Sequence, residues 1–474
     1  MKKFPIADLA RIIKAHEPRV TPQDALRQSD NRRFFTGVSI DSRTTKAGDC
    51  FFAIKGDNFD GHGFLADAFE KGAACAVVCK DNASKKFPDK CVLSVNDTIE
   101  ALGHLAGEYR RRMNFKVVAI TGSVGKTTTR QIAYHVLSQR FHTCQAPKNF
   151  NNNIGLPLTL LWAEPEDEII IAEIGTSSPG EIAYLTDIAS PDIAVITNVH
   201  PAHLAGFGNL QNIIKEKLSI AKGLRDDGVL IINGDYEQLV DACRAGGRKF
   251  MTFGTSRHCD IQAQNITYET FGSRFTIDGT QVMLSLPGRG NVENALAAWS
   301  VCSRLGIDIV SFARAVRTLP AVPMRVELLQ IGTLTVLNDC YNANPASMKN
   351  ALDILANLTV PGNCESAENP RRVFICGDMA ELGRGASVLH AELGTSIAQA
   401  KVQLLLSVGK LAKIAAEAAE RDAKYQLQTK CFEDTASLCN NLERFVKNYD
   451  IILVKGSRTA KLEMAVQKLK ELFT

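Results

Sequence analysis

No CxxC pair occurs in the chain, and no apolar run approaches the roughly 18 residues that a bilayer span requires. The first absence removes zinc knuckles and the second removes membrane-spanning helices as explanations of function. The 13 cysteines stand singly, Cys75 and Cys79 being the closest pair, so reduced and mostly buried thiols are expected rather than a disulfide framework. Asp8, Arg11 and Lys14 interrupt the first apolar positions, which excludes a signal-peptide core and makes a cytoplasmic location the expectation. An excess of one charge sign is missing as well. Against 51 acidic residues stand 55 Lys and Arg, a net +4, too little for bulk capture of nucleic acid, so any anion site must be local. With 45% hydrophobic and 22% charged residues the composition is neither disordered nor collagen-like.

What is present is a long α/β rhythm in three textures, and 474 residues suit roughly three domains. Residues 1–114 read as a small mixed α/β unit, with strands expected at 37–40, 50–54, 74–78 and 91–95 and helices at 64–70 and 98–112. Its Phe51, Phe52, Phe59 and Phe64 lack interleaved basic residues and read as core rather than a base-stacking platform. Residues 115–319 carry Val/Ile-rich strands at 116–120, 168–174, 192–198 and 229–233, the pattern of a parallel sheet covered on both faces. Between residues 259 and 286 polar and apolar residues alternate around Gly272 and Asp278-Gly279, which reads as antiparallel strands appended to that sheet, before a helix at 291–305 closes the unit. Past the prolines Pro320 and Pro323 the rhythm restarts: strands at 334–338, 372–376, 404–407 and 451–455 predict a Rossmann-like doubly wound unit over 320–474, with a mobile loop at 360–371.

The strongest local signal is Gly122-Ser123-Val124-Gly125-Lys126-Thr127-Thr128, placed after a Val/Ile strand and before a helix. Such a loop aims backbone N–H groups and a helix N-terminus at phosphate oxygens, while Lys126 neutralises β/γ-phosphate charge and Thr127 offers a hydroxyl to Mg²⁺. The spacing is the shorter GxxGKT, since Ile120 stands where the full P-loop pattern has its first Gly. The motif therefore predicts a nucleoside triphosphate site. Glu173 ends a parallel strand and is placed either to bind Mg²⁺ or to cap a following helix. His200 and His203 follow the next strand and could be ligands or satisfied structural residues; Lys215 and Lys217 on the helix after them could be a solvated face.

Further segments carry a resemblance. They are Ile40-Asp41-Ser42-Arg43, residues 51–56 followed by Asn58-Phe59-Asp60-Gly61-His62, residues 149–157 (NFNNNIGLP), residues 338–345 (NDCYNANP), residues 377–383 (GDMAELG) and Lys455-Gly456-Ser457-Arg458. Together with the P-loop, and in this order along the entire chain, they resemble the Mur ligases, ATP-dependent amide-forming enzymes of peptidoglycan precursor synthesis that have folylpolyglutamate synthetases as relatives. The resemblance implies a UDP-sugar-binding first domain, a central ATPase domain and a C-terminal ligase domain. It implies that Thr127 and Glu173 hold one Mg²⁺, that His203 and a carbamoylated Lys217 serve a second, and that His200 is a bystander. The family's usual Lys-x-Glu-Ile reads Lys217-Leu218-Ser219-Ile220 here.

By the same resemblance Asn291 and Asn294 lie near the adenine, with Gly290 where the family often has His. Arg325 and Asp339 reach the ATP phosphates and ribose, and with Lys126, His203 and Lys217, Arg325 belongs to the catalytic set. Substrate contacts fall to Ser42, Arg43, Asp60, Gly61, His62, Asn151, Asn152, Tyr341, Asn342 and Asn344. On residue type alone Arg325 and Asp339 would be ordinary surface groups. Segment 339–345 favours the dipeptide-adding members over those adding one amino acid, which more often read Asp-Tyr-Ala-His there. The implied substrates are then UDP-N-acetylmuramoyl-tripeptide and D-alanyl-D-alanine, with a monomer as the default. A sister ligase and a non-ligase P-loop ATPase are the alternatives.

Overall fold

The computed structural model describes residues 1–16, 34–82, 87, 90–147, 150–358 and 370–474. Most of the loop expected at 360–371 falls outside these residues.

The chain lays down three parallel sheets in succession. Strands Gly37–Ser39, Asp49–Phe52, Cys75–Cys79 and Val92–Val95 form a four-stranded parallel sheet in sequence order. Helix Thr98–Arg112 closes this unit; Asp97 caps it by accepting from the Ile99 and Glu100 amides, and three arginines sit in its last turn, where they complement the helix dipole. One of them, Arg110, is 2% exposed and donates to Asp192 (2.8 Å) and to the carbonyls of Phe115, Ala189 and Ser190. The first unit is thereby fastened to the second, and one hydrophobic core runs through both. Of the four phenylalanines expected in this core, Phe51 and Phe52 are buried, but Phe59 is 76% exposed and Phe64 40%. Phe59 precedes a 3-10 turn, Gly61–Phe64, and Phe64 ends it; neither lies on a strand, so their side chains have no sheet face to cover.

The central sheet has seven parallel strands ordered Ile261–Gln262, Phe250–Gly254, Val229–Asn233, Ile193–Ile196, Lys116–Thr121, Ile169–Glu173 and Thr143–Gln145. The first of these in sequence, Lys116–Thr121, lies in the interior with the chain winding away on either side. Ligands bind outside the carboxyl ends of strands at such a switch point. The antiparallel strands expected on this sheet are not appended to it. Gln264–Glu269, Gly272–Ile277 and Thr280–Leu284 make their own three-stranded sheet, and only Ile261–Gln262 joins the parallel one. Alternation is the reason: Phe275, Ile277, Val282 and Leu284 point to one face and pack in a core with helix Arg289–Arg304, leaving the other face to solvent. A further helix, Ile309–Val316, rather than the one at 289–304, ends this stretch.

The third sheet is ordered Glu327–Ile331, Leu334–Asn338, Ile451–Lys455, Arg372–Gly377, Leu404–Val408 and Gln428–Phe432, parallel apart from the first strand. Among the described residues the cysteines are free thiols, six of them buried and Cys431 exposed, and no helix is long and apolar enough to cross a membrane.

Candidate active site

Strand Lys116–Thr121 delivers the glycine-rich loop to the switch point, and two glycines there are irreplaceable on steric grounds. A Cβ at Gly125 (φ 84°) would fall 2.0 Å from Asn294 Oδ1, and one at Gly122 would fall 1.8 Å from Thr197 Oγ1. The loop is braced by the end of the neighbouring strand. Val124 N–H donates to Asn198 Oδ1 (2.9 Å), while Asn198 Nδ2 (3.0 Å) and Thr197 Oγ1 (2.6 Å) donate to the Val124 carbonyl. His200 adds to the brace through its backbone: its amide donates to Ser123 Oγ (2.9 Å) and its carbonyl accepts from it (3.0 Å). Thr197 and Asn198 are thus loop-positioning residues that sequence reasoning passed over in favour of the histidines beside them.

Helix Lys126–Leu137 starts at the loop. Lys126 Nζ donates to the Gly122 carbonyl (2.9 Å); burial lowers its pKa against the pull of Glu173, and Arg325 adds to the lowering. Thr127 Oγ1 donates to Glu173 Oε2 (2.7 Å), and Asn151 Nδ2 to Glu173 Oε1 (3.0 Å). Glu173 is 2% exposed. Burial alone would favour its protonated form, but Lys126, Arg130 and Arg325 together hold its carboxyl below the usual carboxylate range. The Glu173 carboxylate and the Thr127 hydroxyl are hard oxygen donors set side by side, and they fit the partial protein ligation of Mg²⁺, whose other positions go to waters and substrate phosphates. Among the described residues no group of three or more His, Cys, Asp or Glu side chains gathers into a cation cage, which is compatible with that mode.

Lys217 is 4% exposed near the end of helix Leu210–Leu218, whereas Lys215 faces solvent. Burial and the nearby Lys126 charge push its pKa well below that of a free lysine, opposed by Glu216. Among the described residues no hydrogen-bond acceptor meets its Nζ, and both causes of the shift favour the neutral amine over the ammonium. Glu216 is itself engaged: its carboxylate accepts from the Gly180 (2.8 Å) and Ile182 (2.9 Å) amides at the start of helix Glu181–Ala189. His203 lies on the cleft wall with its Nδ1 against Glu381. His200 Nε2 meets the Tyr236 hydroxyl at 2.7 Å.

The cleft, of about 1630 Å³, opens between the central and third units. Ser123 to Thr128, Asn151, Asn152, Glu173, His200, His203, Asn291, Asn294, Arg325, Asp339, Tyr341, Asn342 and Asn344 all line it. Many of these side chains also hold the walls in place. Asn291 Nδ2 donates to the Pro287 carbonyl (2.8 Å), and Asn294 Oδ1 accepts from Thr129 Oγ1 (3.3 Å). Asn152 accepts from the Gly155 amide (2.8 Å) and Asn344 caps helix Pro345–Asn357. Arg325 lies over the Tyr341 ring at 4.1 Å, flanked by Met324 and Val326 in the left-handed backbone region (φ 58° and 53°). For a β-branched residue such as Val326 that conformation is strained, and it is held by the Val326 amide donating to Asp339 Oδ1 (3.1 Å). Lys455 Nζ completes this knot by donating to Asp339 Oδ2 at 2.6 Å. Lys455, Tyr236, Asp235, Arg289 and Glu293 also line the cleft; sequence reasoning gave none of them a role.

Gly122 and Lys217 lie behind the wall, and the remaining expected residues do not line the cleft. Ser42 is buried in the first unit, and Arg43 is exposed and paired with Asp41 (2.7 Å). Asp60 accepts from the His62 amide (3.0 Å), and His62 Nε2 accepts from the Cys79 amide (2.9 Å), while Gly61 packs against the Ile54 backbone. Both ring nitrogens of His62 are thereby committed, since Nδ1 faces Asp60.

Residues 120–302 match the family model described as Mur ligase middle domain, residues 324–458 the Mur ligase, glutamate ligase domain, and residues 34–110 the Mur ligase family, catalytic domain. The UDP-N-acetylmuramoyl-tripeptide--D-alanyl-D-alanine ligase of Bacillus subtilis (strain 168) is 35% identical over 438 residues, 92% of this chain and 93% of the relative. The ligase of the same name from Escherichia coli (strain K12) is 34% identical over 443 residues, 92% of this chain and 93% of the relative. Among solved structures, MurF from Acinetobacter baumannii superposes with a TM-score of 0.85 at 28% identity over 99% of both chains. MurF ligase from Thermotoga maritima in complex with ADP gives 0.80 at 26% identity, covering 94% of this chain and 99% of that one.

Proposed function

The chain belongs to the Mur ligase family, and from that premise we propose that it joins D-alanyl-D-alanine to UDP-N-acetylmuramoyl-tripeptide at the expense of ATP, yielding the pentapeptide precursor, ADP and phosphate. The substrates are those named for relatives that share about a third of its residues along nine-tenths of its length. The observation that carries the chemistry is the convergence of Lys126, Thr127, Glu173 and Arg325 on one cleft between two units.

A carboxylate is a poor acyl donor because its leaving group would be an oxide. Its oxygen therefore first takes the γ-phosphoryl group of ATP, releasing ADP; the dipeptide amine then attacks the acyl carbon, phosphate leaves with the C–O bond electrons, and the amine loses a proton. Lys126 and Arg325 face the phosphoryl group from opposite walls and offset its charge as it moves. The P-loop, braced by Thr197 and Asn198, fixes the β- and γ-phosphates in line with the acceptor. Thr127 and Glu173 would hold one Mg²⁺, and His203 with a carbamoylated Lys217 a second. Bound there, Mg²⁺ supplies positive charge to phosphate and acyl oxygens. A neutral buried amine is the form that adds CO₂, and the resulting carbamate is an anionic oxygen ligand where an ammonium would repel the cation. Asn291 and Asn294 border the adenine end, and Asp339 the ribose.

In this reading residues 1–114 bind the UDP-sugar through Ser42, Arg43, Asp60, Gly61 and His62, residues 115–319 bind ATP, and residues 320–474 close over it, with Tyr341, Asn342, Asn344, Asn151 and Asn152 facing the peptide substrates. Closure excludes water that would hydrolyse the acyl phosphate. The enzyme acts in the cytoplasm as a monomer.

The deciding assay is phosphate release from ATP and Mg²⁺ with a UDP-muramoyl tripeptide, comparing D-alanyl-D-alanine with single amino acids and reading product mass. Release that requires the dipeptide and gives a pentapeptide is expected. Release with a single amino acid would make the chain a sister ligase, and release that requires no acceptor would make it a plain ATPase.

A further inference from the structure

One contact between the two walls of the cleft has no part in the chemistry above. His203 caps the short helix Leu204–Phe207, and Glu381 lies in the loop after strand Arg372–Gly377; both hold the left-handed backbone region, with φ of 52° and 62°. Their side chains meet through His203 Nδ1 and a Glu381 carboxylate oxygen, across 178 residues of sequence. The backbone repeats the connection, since the Ala205 amide donates to the Glu381 carbonyl (3.2 Å). A Cβ at the left-handed Gly383 would lie 3.2 Å from Ala205 Cα, so the two segments are in direct apposition. The central unit supplies His203 and the third unit supplies Glu381.

As glue this pair is a poor device. The Glu381 side chain is 57% exposed and that of His203 29%, and exposed ion pairs contribute little to stability. The effect on the imidazole is larger. A neutral imidazole has one N–H and one lone pair; a carboxylate accepting at Nδ1 puts the proton there and leaves Nε2 as the free donor atom. The same carboxylate fixes the rotation of the ring, and it sets a negative charge against a histidine that otherwise faces Lys126 and Lys217.

We propose that Glu381 is a positioning residue for His203: brought in by the third unit, it locks the imidazole in the tautomer and orientation that present Nε2 to a divalent cation, so that docking of the third unit completes the second cation site. This rests on the reading of His203 as a ligand of that cation. Ligating histidines generally donate their other ring N–H to a carboxylate or carbonyl, and loss of that partner lowers metal affinity by about 10–100-fold. The segment at 377–383 then has a function that its own chemistry does not announce: it carries the orienting group for a ligand on another unit.

The test uses the full chain with ADP, bicarbonate and Mn²⁺, following bound Mn²⁺ by electron paramagnetic resonance and the His203 ring nitrogens by ¹⁵N NMR of histidine-labelled, metal-free protein. Glu381→Ala is expected to weaken the weaker of two Mn²⁺ ions by about 10–100-fold, to leave the ion at Thr127 and Glu173 unchanged, and to shift His203 away from the Nδ1–H tautomer. Glu381→Gln, which keeps an acceptor oxygen, should retain most of the affinity and the tautomer. An unchanged tautomer and unchanged weaker Mn²⁺ affinity in Glu381→Ala would overturn the proposal while leaving the reading of His203 intact. Two Mn²⁺ ions still bound by His203→Ala would overturn the reading of His203 itself, and the proposal with it.

Discussion

The Thr127 hydroxyl donates to the Glu173 carboxylate across 2.7 Å, joining the first turn of the P-loop helix to the end of the adjacent strand. Ile120 and Glu173 are register partners on neighbouring parallel strands, so the sheet itself sets this distance. Strand pairing thus sets the P-loop threonine beside a carboxylate 46 residues later, the pair proposed above to hold one cation. Glu173→Gln keeps the size and the hydrogen bond from Thr127 but removes the anion. The expected outcome is a fall in turnover of at least about a hundredfold, the scale of losing a preorganised electrostatic group, with weakened Mg²⁺ dependence. Steady-state kinetics across Mg²⁺ concentrations check it; unchanged Mg²⁺ dependence would remove Glu173 from the site.

Lys126→Ala should lower turnover by orders of magnitude, because the phosphoryl group loses its nearest fixed cation. The UDP-sugar should still bind, since the residues assigned to it lie in the first unit, away from the cleft. Calorimetric titration of the variant with UDP-muramoyl tripeptide separates the two effects. If sugar affinity collapsed with turnover, the division of labour between the units would be wrong.

Lys217→Ala removes a buried amine that meets no acceptor among the described residues. If the amine works as its carbamate, the variant has low activity that bicarbonate does not raise, while a short-chain carboxylate such as acetate partly restores it by entering the space and supplying the oxygen ligand. Full activity without additive would end the carbamate reading.

How much of this was legible in the sequence depended on how far each signal was local. Strands such as Ile169–Glu173 and Ile451–Lys455 are buried on both faces and announce themselves as apolar runs. Edge strands Thr143–Gln145 and Gln428–Phe432 are half exposed and polar, and carry no such pattern. The same holds for the site. Gly122 to Thr128 form a contiguous motif whose meaning lies in backbone geometry, so they could be read directly. The roles of Asn198, Glu381 and Lys455 arise only when distant segments meet, and no spacing within the chain encodes those meetings. Phe59 and Phe64 went astray because residue type suggests burial, whereas turn geometry put them outside.

The Lys455–Asp339 pair predicts a structural cost distinct from a catalytic one. Lys455 is 1% exposed and donates to Asp339 Oδ2 (2.6 Å) and to the Asn342 carbonyl (3.0 Å). Asp339→Asn keeps the acceptor for the Val326 amide but leaves a buried ammonium without its counter-charge, which typically costs about 3–5 kcal/mol. Denaturant unfolding should show that loss in the transition of the third unit, with the central unit unaffected. The double variant Asp339→Asn, Lys455→Met should recover part of it, because the unpaired charge is then gone.

His200 gives a prediction in pH. Burial pushes its pKa down to about 4, against roughly 6.5 in an unfolded chain. Above pH 6.5 both states carry a neutral ring and His200 adds no pH dependence. Between 6.5 and 4 the unfolded chain takes up a proton that the folded protein refuses, so stability falls as pH falls, and the loss levels off below 4, where both states are protonated. His200→Gln cannot take that proton. The variant loses the contact with the Tyr236 hydroxyl and is less stable at pH 7.5, but the gap to the parent should narrow steadily between pH 6.5 and 4.5. Thermal unfolding of both proteins across that range reads the difference. Parallel curves would mean that the folded protein accepts the proton as readily as the unfolded chain, and that the ring is not held neutral beside the P-loop.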